Sequence, residues 1–476
     1  MSDSSNGFLD GVLDRTLSNL RSAWRDISSS ARGFLGTATS SPELPPDDAE
    51  RLLVQMRECL EARGGEVSAR ARAADLGRSY LALNATGRER FLRLLADEFE
   101  VDVAAVDQAC ARLAEIPPGP ERRPLERALR DALEAPRVRL LTQFNGLREG
   151  VKFLVDMRGE LMGLAKGDVA LTALDEDLRR LLSGWFDIGF LELRRITWDA
   201  PAALLEKLIV YEAVHEIRSW TDLKNRLEAD RRCFAFFHPR MPDEPLIFVE
   251  VALVRGMAGS VQKLLDEAAP VEDPGAADTA IFYSISNCQK GLAGISFGNF
   301  LIKRVVDLLA AELPDIKTYA TLSPMPGFRA WLDKRMREDP QDILLPAEKR
   351  AIEGLPPDLA LLDLPELLAI EGWQDRPDLA EAVKTPLMRL AAHYLTREKG
   401  RNGRARDPVA HFHLANGARV ERLDWLGDIS AKGIEQSAGL MINYLYRLSE
   451  IEDNHEAYSG EGKVAISSSV RALLKA

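Results

Sequence analysis

Apolar and polar positions change their period along this chain. From residue 46 to residue 184 the apolar positions recur at helical spacing. In Glu89-Arg90-Phe91-Leu92-Arg93-Leu94-Leu95, for example, the apolar residues share one face and the charges lie opposite. Pro46-Asp47-Asp48 is a helix start with acids in its first turn, and Pro117-Pro118-Gly119-Pro120 is a break between helices. The charge runs at Glu121-Arg122-Arg123 and from Arg127 to Arg139 read as solvated helix faces. This segment is expected to be an all-α bundle that serves packing or oligomerisation. Residues 1–45 stand apart from it. Phe8, Val12, Leu13, Leu17 and Leu20 make a modest amphipathic helix, followed by Ser-rich stretches and Pro45-Pro46. Either a partner-docking helix or a mobile leader fits that composition.

From residue 185 to 476 the pattern becomes mixed. A strand is expected at Leu191 to Thr197 and a helix from Pro201 to Val214. Two β-rich runs follow, Cys233 to His238 and Leu246 to Val254, with Pro239 to Pro245 as the loop of a hairpin. Ala280, Ile281, Phe282, Tyr283 and Ile285 form the next strand, and a turn holding Gly291 and Gly294 comes after it. Phe297, Phe300, Leu301, Val305, Leu308 and Leu309 then fall at helical spacing up to Pro314. A second strand, Ile316 to Leu322, ends on Ser323 before Pro324. Strand, glycine turn, helix and strand place free N–H groups at a helix N-terminus, where a phosphate is attracted. Residues from about 340 to 390 read as a helical insertion, with Thr385-Pro386 starting one helix. Pro408 to Asp428 reads as a hairpin around Asn416-Gly417, and Lys432 to Leu448 as a closing helix. The fold class is α+β: a helical domain, then a mixed α/β domain around one sheet.

Length and charge narrow the function. The 476 residues suffice for two or three domains, and 46% hydrophobic with 29% charged residues is a normal globular balance. A net charge of −12 argues against a general nucleic-acid binder but leaves room for a local basic pocket. Cys59, Cys110, Cys233 and Cys288 are scattered with no CxxC pair, which points to a reducing compartment without a disulfide framework or cysteine zinc site. Cys288, in the glycine turn, is either a reactive thiol or a buried one. No apolar run approaches the ~20 residues that span a bilayer. The N-terminus lacks a basic n-region and carries Asp3, Asp10 and Asp14, and the chain ends Leu473-Leu474-Lys475-Ala476, not on an SKL-type address. A cytoplasmic location is the expectation.

Six histidines could carry chemistry: His215, His238, His393, His411, His413 and His455. On the expected strand, His411 and His413 share a face. Either could be a general acid or base, or a structural residue. No HExxH or comparable spacing supports a metal site. Ser323 lacks a GxSxG elbow, and the glycine turn is neither a Walker A loop nor a GxGxxG. By itself that turn could be a plain loop, and Lys290, Lys303 and Arg304 could meet phosphates or simply be solvated.

Several long strings taken in order resemble malonyl-CoA decarboxylase: YEAVHEIRSW at Tyr211 to Trp220, FYSISNCQKGLAGISFGNFLIKRVV, TLSPMPGF, TPLMRL, DPVAHFHLANGARVERLDWLGD and GLMINYLY. The resemblance runs from about 190 to 465. It implies a helical N-terminal domain followed by a catalytic domain of the GNAT acetyltransferase fold, in which a strand–turn–helix binds the pyrophosphate of coenzyme A. The family's substrate-binding segment falls on Ala293, Gly294, Ile295, Ser296, Phe297, Gly298 and Asn299. Its catalytic serine, in SPxPGF, falls on Ser323, and its catalytic histidine, in FHLxNG, on His413. The turn departs from the acetyltransferase pattern Q/R-x-x-G-x-G/A, since Cys288 holds the first place. The implied activity converts malonyl-CoA to acetyl-CoA and CO2 through a thioester enolate. It needs no metal or cofactor beyond the coenzyme A of the substrate. A bacterial cytoplasmic homo-oligomer, dimer or tetramer, is implied. A CoA-dependent acyltransferase and a non-catalytic CoA-binding regulator are the alternatives.

Overall fold

Local sequence signals set the helix starts. In the computed structural model, residues 41–61, 66–295, 301–339, 343–400 and 403–475 are described. The expected leader lies almost wholly outside them. The chain falls into two compact units. One takes the chain up to Glu192 together with Phe236–Leu246 and Asn287–Phe297; the other takes Leu193–Ala235, Ile247–Ser286 and Gly298 onward.

The first unit is helical: α1 Pro46–Leu60, α2 Glu66–Ala82, α3 Ala85–Glu98, α4 Val103–Ala114, α5 Arg123–Ala132, α6 Pro136–Thr142, α7 Gly150–Leu164 and α8 Val169–Trp185. Asn84, Asp102 and Asp168 cap α3, α4 and α8 by accepting a backbone N–H each. Helix α7 is buried on nearly every side, with Val151, Phe153, Leu154, Val155, Met157 and Leu161 enclosed along with Lys152 and Arg158. Tyr80 meets Phe91 and Phe153 edge-on at 4.9 and 5.6 Å. Buried Arg137 is neutralised by Glu100 and Asp177, both at 2.8 Å.

The second unit is built on a mixed sheet. The sheet's strands are β1 Glu192–Ile196, β2 Arg231–His238, β3 Met241–Val254, β4 Thr279–Asn287, β5 Thr318–Thr321, β6 Ser323–Pro324, β7 Arg419–Asp424 and β8 Met441–Leu445, in the order β1-β2-β3-β4-β5-β8-β6 with β7 on β8; Glu192, the parts of β2 and β3 within Phe236–Leu246, and Asn287 are counted with the first unit. Helices α9 Ala202–Tyr211, α10 Trp220–Asn225 and α11 Val261–Leu264 precede β4. Strands β4 and β5 run parallel, Thr279 opposite Thr318 and Phe282 opposite Thr321. They are joined through α12, Leu301–Glu312, as the expected strand–turn–helix–strand requires. Ile281, Tyr283, Ala320, Leu322, Met441 and Leu445 pack together on one face. Ala280, Phe282, Ser284, Thr321, Ser323 and Tyr444 therefore belong to the other face. The remaining helices are α13 Phe328–Glu338, α14 Pro346–Glu353, α15 Leu364–Ala369, α16 Pro377–Arg397, α17 Pro408–Ala415, α18 Ala431–Ser437, α19 Ile451–Glu461 and α20 Ser468–Leu473. Among the described residues no helix is long and apolar enough to cross a membrane.

Four local expectations are corrected. The proline-rich stretch 239–245 is not a long loop, because β3 starts at Met241. Its prolines are tolerated where no ladder N–H is needed. Pro386 lies inside α16 and does not start it; the true start is Pro377 at the first helical position, and Pro386 faces the core beside Val383, Leu387 and Leu390. The arm before Asn416-Gly417 is helix α17, not a strand. Asp407 caps it by accepting the N–H groups of Val409 and Ala410, both at 3.0 Å, and Pro408 takes the first helical position. Gly417, at φ +81°, ends that helix. The closing helix is short: α18 stops at Ser437, Ala438 and Gly439 take positive φ, and residues 441–445 form β8. An apolar run buried on both faces reads as helix or strand alike.

Gly417 offers a direct check of that corner. A Cβ there would lie 2.2 Å from the Ile451 carbonyl oxygen, on a backbone that L residues disfavour. Gly417→Ala is expected to cost roughly 1–3 kcal/mol from strain alone and to lower the heat-unfolding midpoint by several degrees. An unchanged midpoint in calorimetry would refute this account of the corner.

Candidate active site

The chemistry-bearing residues converge because β8 lies between strands that are remote in sequence. Ser323 pairs with Ile442 across the ladder. Thr321, two residues earlier, points to the same face, and its Oγ1 accepts the Tyr444 N–H at 3.1 Å. The Ser323 hydroxyl donates to Thr321 Oγ1 at 2.8 Å and lies 3.1 Å from His413 Nε2. On its far side, His413 Nδ1 is 2.8 Å from the Tyr446 hydroxyl. Tyr444 stacks on the imidazole, ring centres 4.5 Å apart and planes 22° apart.

Both imidazole nitrogens are engaged, and the roles follow from the tautomer. With the Ser323 hydroxyl turned to Thr321, the compatible tautomer carries its hydrogen on Nε2, which donates toward Ser323 Oγ, while Nδ1 accepts from the Tyr446 hydroxyl. The ring is neutral: Ser323 and His413 are 5% and 2% exposed, and burial pushes His413 down to about 3. Burial likewise raises Tyr444 and Tyr446 well above the ordinary phenol range. The Tyr444 hydroxyl and Asn443 Oδ1 are buried with no protein partner.

Helix α17 aims His413. One Asp407 oxygen caps the helix, and the other accepts the Gly327 N–H and the Tyr394 hydroxyl, both at 3.3 Å. Asp407 thus ties α17 to the turn that follows Ser323. On a helix His411 and His413 diverge, so His411 is a neighbour in sequence only. Its Nδ1 meets the Tyr458 hydroxyl at 2.8 Å.

The glycine turn belongs to the helical unit. Lys290–Leu292 forms one 3₁₀ turn, and the N–H groups of Leu292, Ala293 and Ile295 are used within the turn itself. Ala293 and Gly294 are exposed, Gly294 has φ +74°, and Ile295 is buried. Ser296, Phe297, Gly298 and Asn299 lie outside the described residues. Lys303 pairs with Glu452 at 2.6 Å, and Cys288 is buried. Among the described residues no group of three or more His, Cys, Asp or Glu side chains could hold a metal.

Sequence reasoning brought out Ser323 and His413 but passed over Tyr446, Tyr444, Thr321 and Asp407. The signal was present: all four stand inside the same unusual strings that carry the resemblance.

A sheet bearing a buried serine–histidine–tyrosine chain is the build of an enzyme that handles protons. The malonyl-CoA decarboxylase C-terminal domain model matches residues 189–476, and the N-terminal domain model matches 99–186. The mitochondrial malonyl-CoA decarboxylase of Anser anser anser is 39% identical over 428 residues, covering 85% of this chain and 84% of that protein; the Rattus norvegicus enzyme is 36% identical over 424 residues, covering 85% and 86%. The crystal structure of malonyl-CoA decarboxylase from Rhodopseudomonas palustris is 42% identical with TM-score 0.81, covering 89% of this chain and 99% of that one. The Agrobacterium vitis structure is 43% identical with TM-score 0.80 and the same coverage. This chain belongs to the malonyl-CoA decarboxylase family.

The neutral His413 has a thermodynamic signature. Its folded pKa lies below the unfolded value of 6.5, so between pH 6.5 and about 3 the unfolded chain binds the extra proton. Its contribution to stability is therefore complete above pH 6.5 and is lost as pH falls through that window, by about 1.4 kcal/mol per pH unit at most. His215, pushed down to about 4 by burial, adds in the same direction. His413→Gln is expected to flatten the dependence of unfolding free energy on pH by about one proton between pH 4 and 6, read from denaturant titrations. Parallel curves for parent and variant would show that His413 is not buried neutral.

Proposed function

We propose that Ser323 and His413 perform the decarboxylation of malonyl-CoA in this chain, with Tyr446 holding the histidine. The observation that carries the proposal is the 3.1 Å contact between Ser323 Oγ and His413 Nε2. In the tautomer with the ring hydrogen on Nε2, that nitrogen cannot take a proton from serine, and the pair donates rather than attacks.

In the reaction the electron pair of the bond between C2 and the carboxylate moves toward the thioester carbonyl. CO2 leaves and an enolate remains. One proton must then reach C2, so malonyl-CoA and one proton give acetyl-CoA and CO2. The Ser323 hydroxyl can turn from Thr321 to the malonyl group and stabilise the charge that shifts onto the thioester oxygen; such a donor is typically worth about 3 kcal/mol. The Nε2 proton goes to C2 and leaves an imidazolate, a weaker base than the thioester enolate it has protonated. A proton from solvent then restores the ring. The thioester itself delocalises the charge, so the proposed chemistry rests on the protein alone.

Malonyl-CoA turnover by chelator-treated parent protein should release CO2 and acetyl-CoA in equal amounts. Ser323→Ala and His413→Ala are each expected to lower kcat by ~10²–10⁴ with little change in KM. Tyr446→Phe should lower it less, since it removes only the group that orients the ring. Parent-like kcat in folded Ser323→Ala would remove the serine from the mechanism. Acyl transfer to an added amine without CO2 release would replace the reaction.

We also infer that the helical unit supports self-association. A mass above that of one chain in sedimentation at micromolar concentration is the expected result, and a monomer would end that reading.

A further inference from the structure

Helix α7 holds the glycine turn by its backbone, and one buried arginine does most of the holding. Arg158, 2% exposed, donates from Nη1 to the carbonyl oxygens of Gly291 and Ala293, at 2.6 and 2.9 Å. Its Nε and Nη2 meet the two carboxylate oxygens of Asp175 on α8, at 2.9 and 3.4 Å. A guanidinium fixed on one edge by a carboxylate presents its other edge in a set direction. The backbones are in direct contact beside it. A Cβ on Gly291 would lie 1.7 Å from the Val155 carbonyl oxygen, and one on Gly159 would lie 3.5 Å from the Gly291 N. The Gln289 side chain adds a third tie, donating to the Pro245 carbonyl at 2.9 Å.

Burial of Leu292 and Ile295 anchors the turn, but Ala293 and Gly294 between them are exposed, so burial does not by itself set how the exposed peptides point. What the arginine sets is the direction of two peptide planes, at Gly291 and Ala293. The second of these opens the stretch that the resemblance assigns to substrate.

We propose that Arg158 is a positioning residue for coenzyme A. From the helical unit, and with Asp175 orienting it, Arg158 presets the backbone of the turn that receives the CoA moiety. The helical domain then serves recognition as well as packing. Preorganisation of this kind appears in affinity for the part of the substrate that does not react, not in the chemical step. This inference rests on the reading of that turn as substrate-binding.

The test uses the full chain, with CoA affinity from calorimetry and malonyl-CoA kinetics measured side by side. Arg158→Ala is expected to raise both the Kd for CoA and the KM for malonyl-CoA tenfold or more, with kcat within about threefold of the parent. Guanidinium at low millimolar concentration should recover part of the lost affinity, which a purely structural role would not allow. Arg158→Lys, whose ammonium cannot bridge Asp175 and both carbonyls together, should fall between parent and Ala; it also carries the test if the Ala variant does not fold. Unchanged Kd and KM in a folded variant would overturn the proposal, as would a loss confined to kcat or a raised KM that guanidinium does not lower. A parent that binds CoA but forms no acetyl-CoA would instead strike the proposed reaction, and the CoA titrations would still decide the role of Arg158.

Discussion

Strand β8 is the constraint on which the serine–histidine–tyrosine arrangement depends. It is five residues long, buried throughout, and pairs with β5, β6 and β7. Several of its residues make specific contacts. Asn443 donates to the Thr321 and Ala258 carbonyls at 2.7 and 2.9 Å, which locks the register. The Tyr444 N–H holds Thr321, and its ring carries His413. Tyr446, just beyond the strand, engages His413 Nδ1 through its hydroxyl at 2.8 Å. A register slip of one residue would turn Tyr444 and Tyr446 to the opposite face and dismantle the chain of hydrogen bonds at every point.

Burial is what makes this chain selective about charge. In a low-dielectric pocket a hydrogen bond is stronger and an unpaired charge is more costly. The imidazole is accordingly held neutral, with both nitrogens engaged, and the serine proton is directed at a threonine. Under the function proposed above, a malonyl carboxylate would meet hydroxyl and imidazole donors at this chain of residues, and loose pairing is what decarboxylation asks for, since tight pairing of the carboxylate would stabilise the ground state and oppose the loss of CO2.

How far the sequence was legible follows from this geometry. Strand β4, the glycine turn and the strand closing on Ser323 could be read from local pattern, because each is a short element punctuated by Gly or Pro. The α17 and β8 elements could not. Asn416-Gly417 is a strong hairpin signal, yet here the glycine ends a helix that Asp407 and Pro408 begin. Those capping residues were in view and carried less weight than the dipeptide. The run from Met441 to Tyr446 has no periodicity, because both faces of β8 are covered. The misreading of α17 also paired His411 with His413, whereas the helix separates them. His413 was reached through its string, not through its expected geometry. Tyr446 was missed because no spacing in the sequence announces a contact made across two strands and a helix.

The glycine turn shows a different limit. Two glycines before a helix suggested open N–H groups awaiting a phosphate. In the structure the N–H groups of Leu292, Ala293 and Ile295 close the turn on itself, and Gly291 is glycine because the Val155 carbonyl leaves no room for a Cβ. Only Gly294 has the positive φ that a ligand-facing bend would need. The two glycines therefore do separate jobs, close packing at Gly291 and a left-handed bend at Gly294. The packing half of the motif is answered by Val155, Arg158 and Gly159 of α7, a helix more than a hundred residues earlier in the chain. A local motif can announce that the backbone must approach something closely; what it approaches is decided by the tertiary fold.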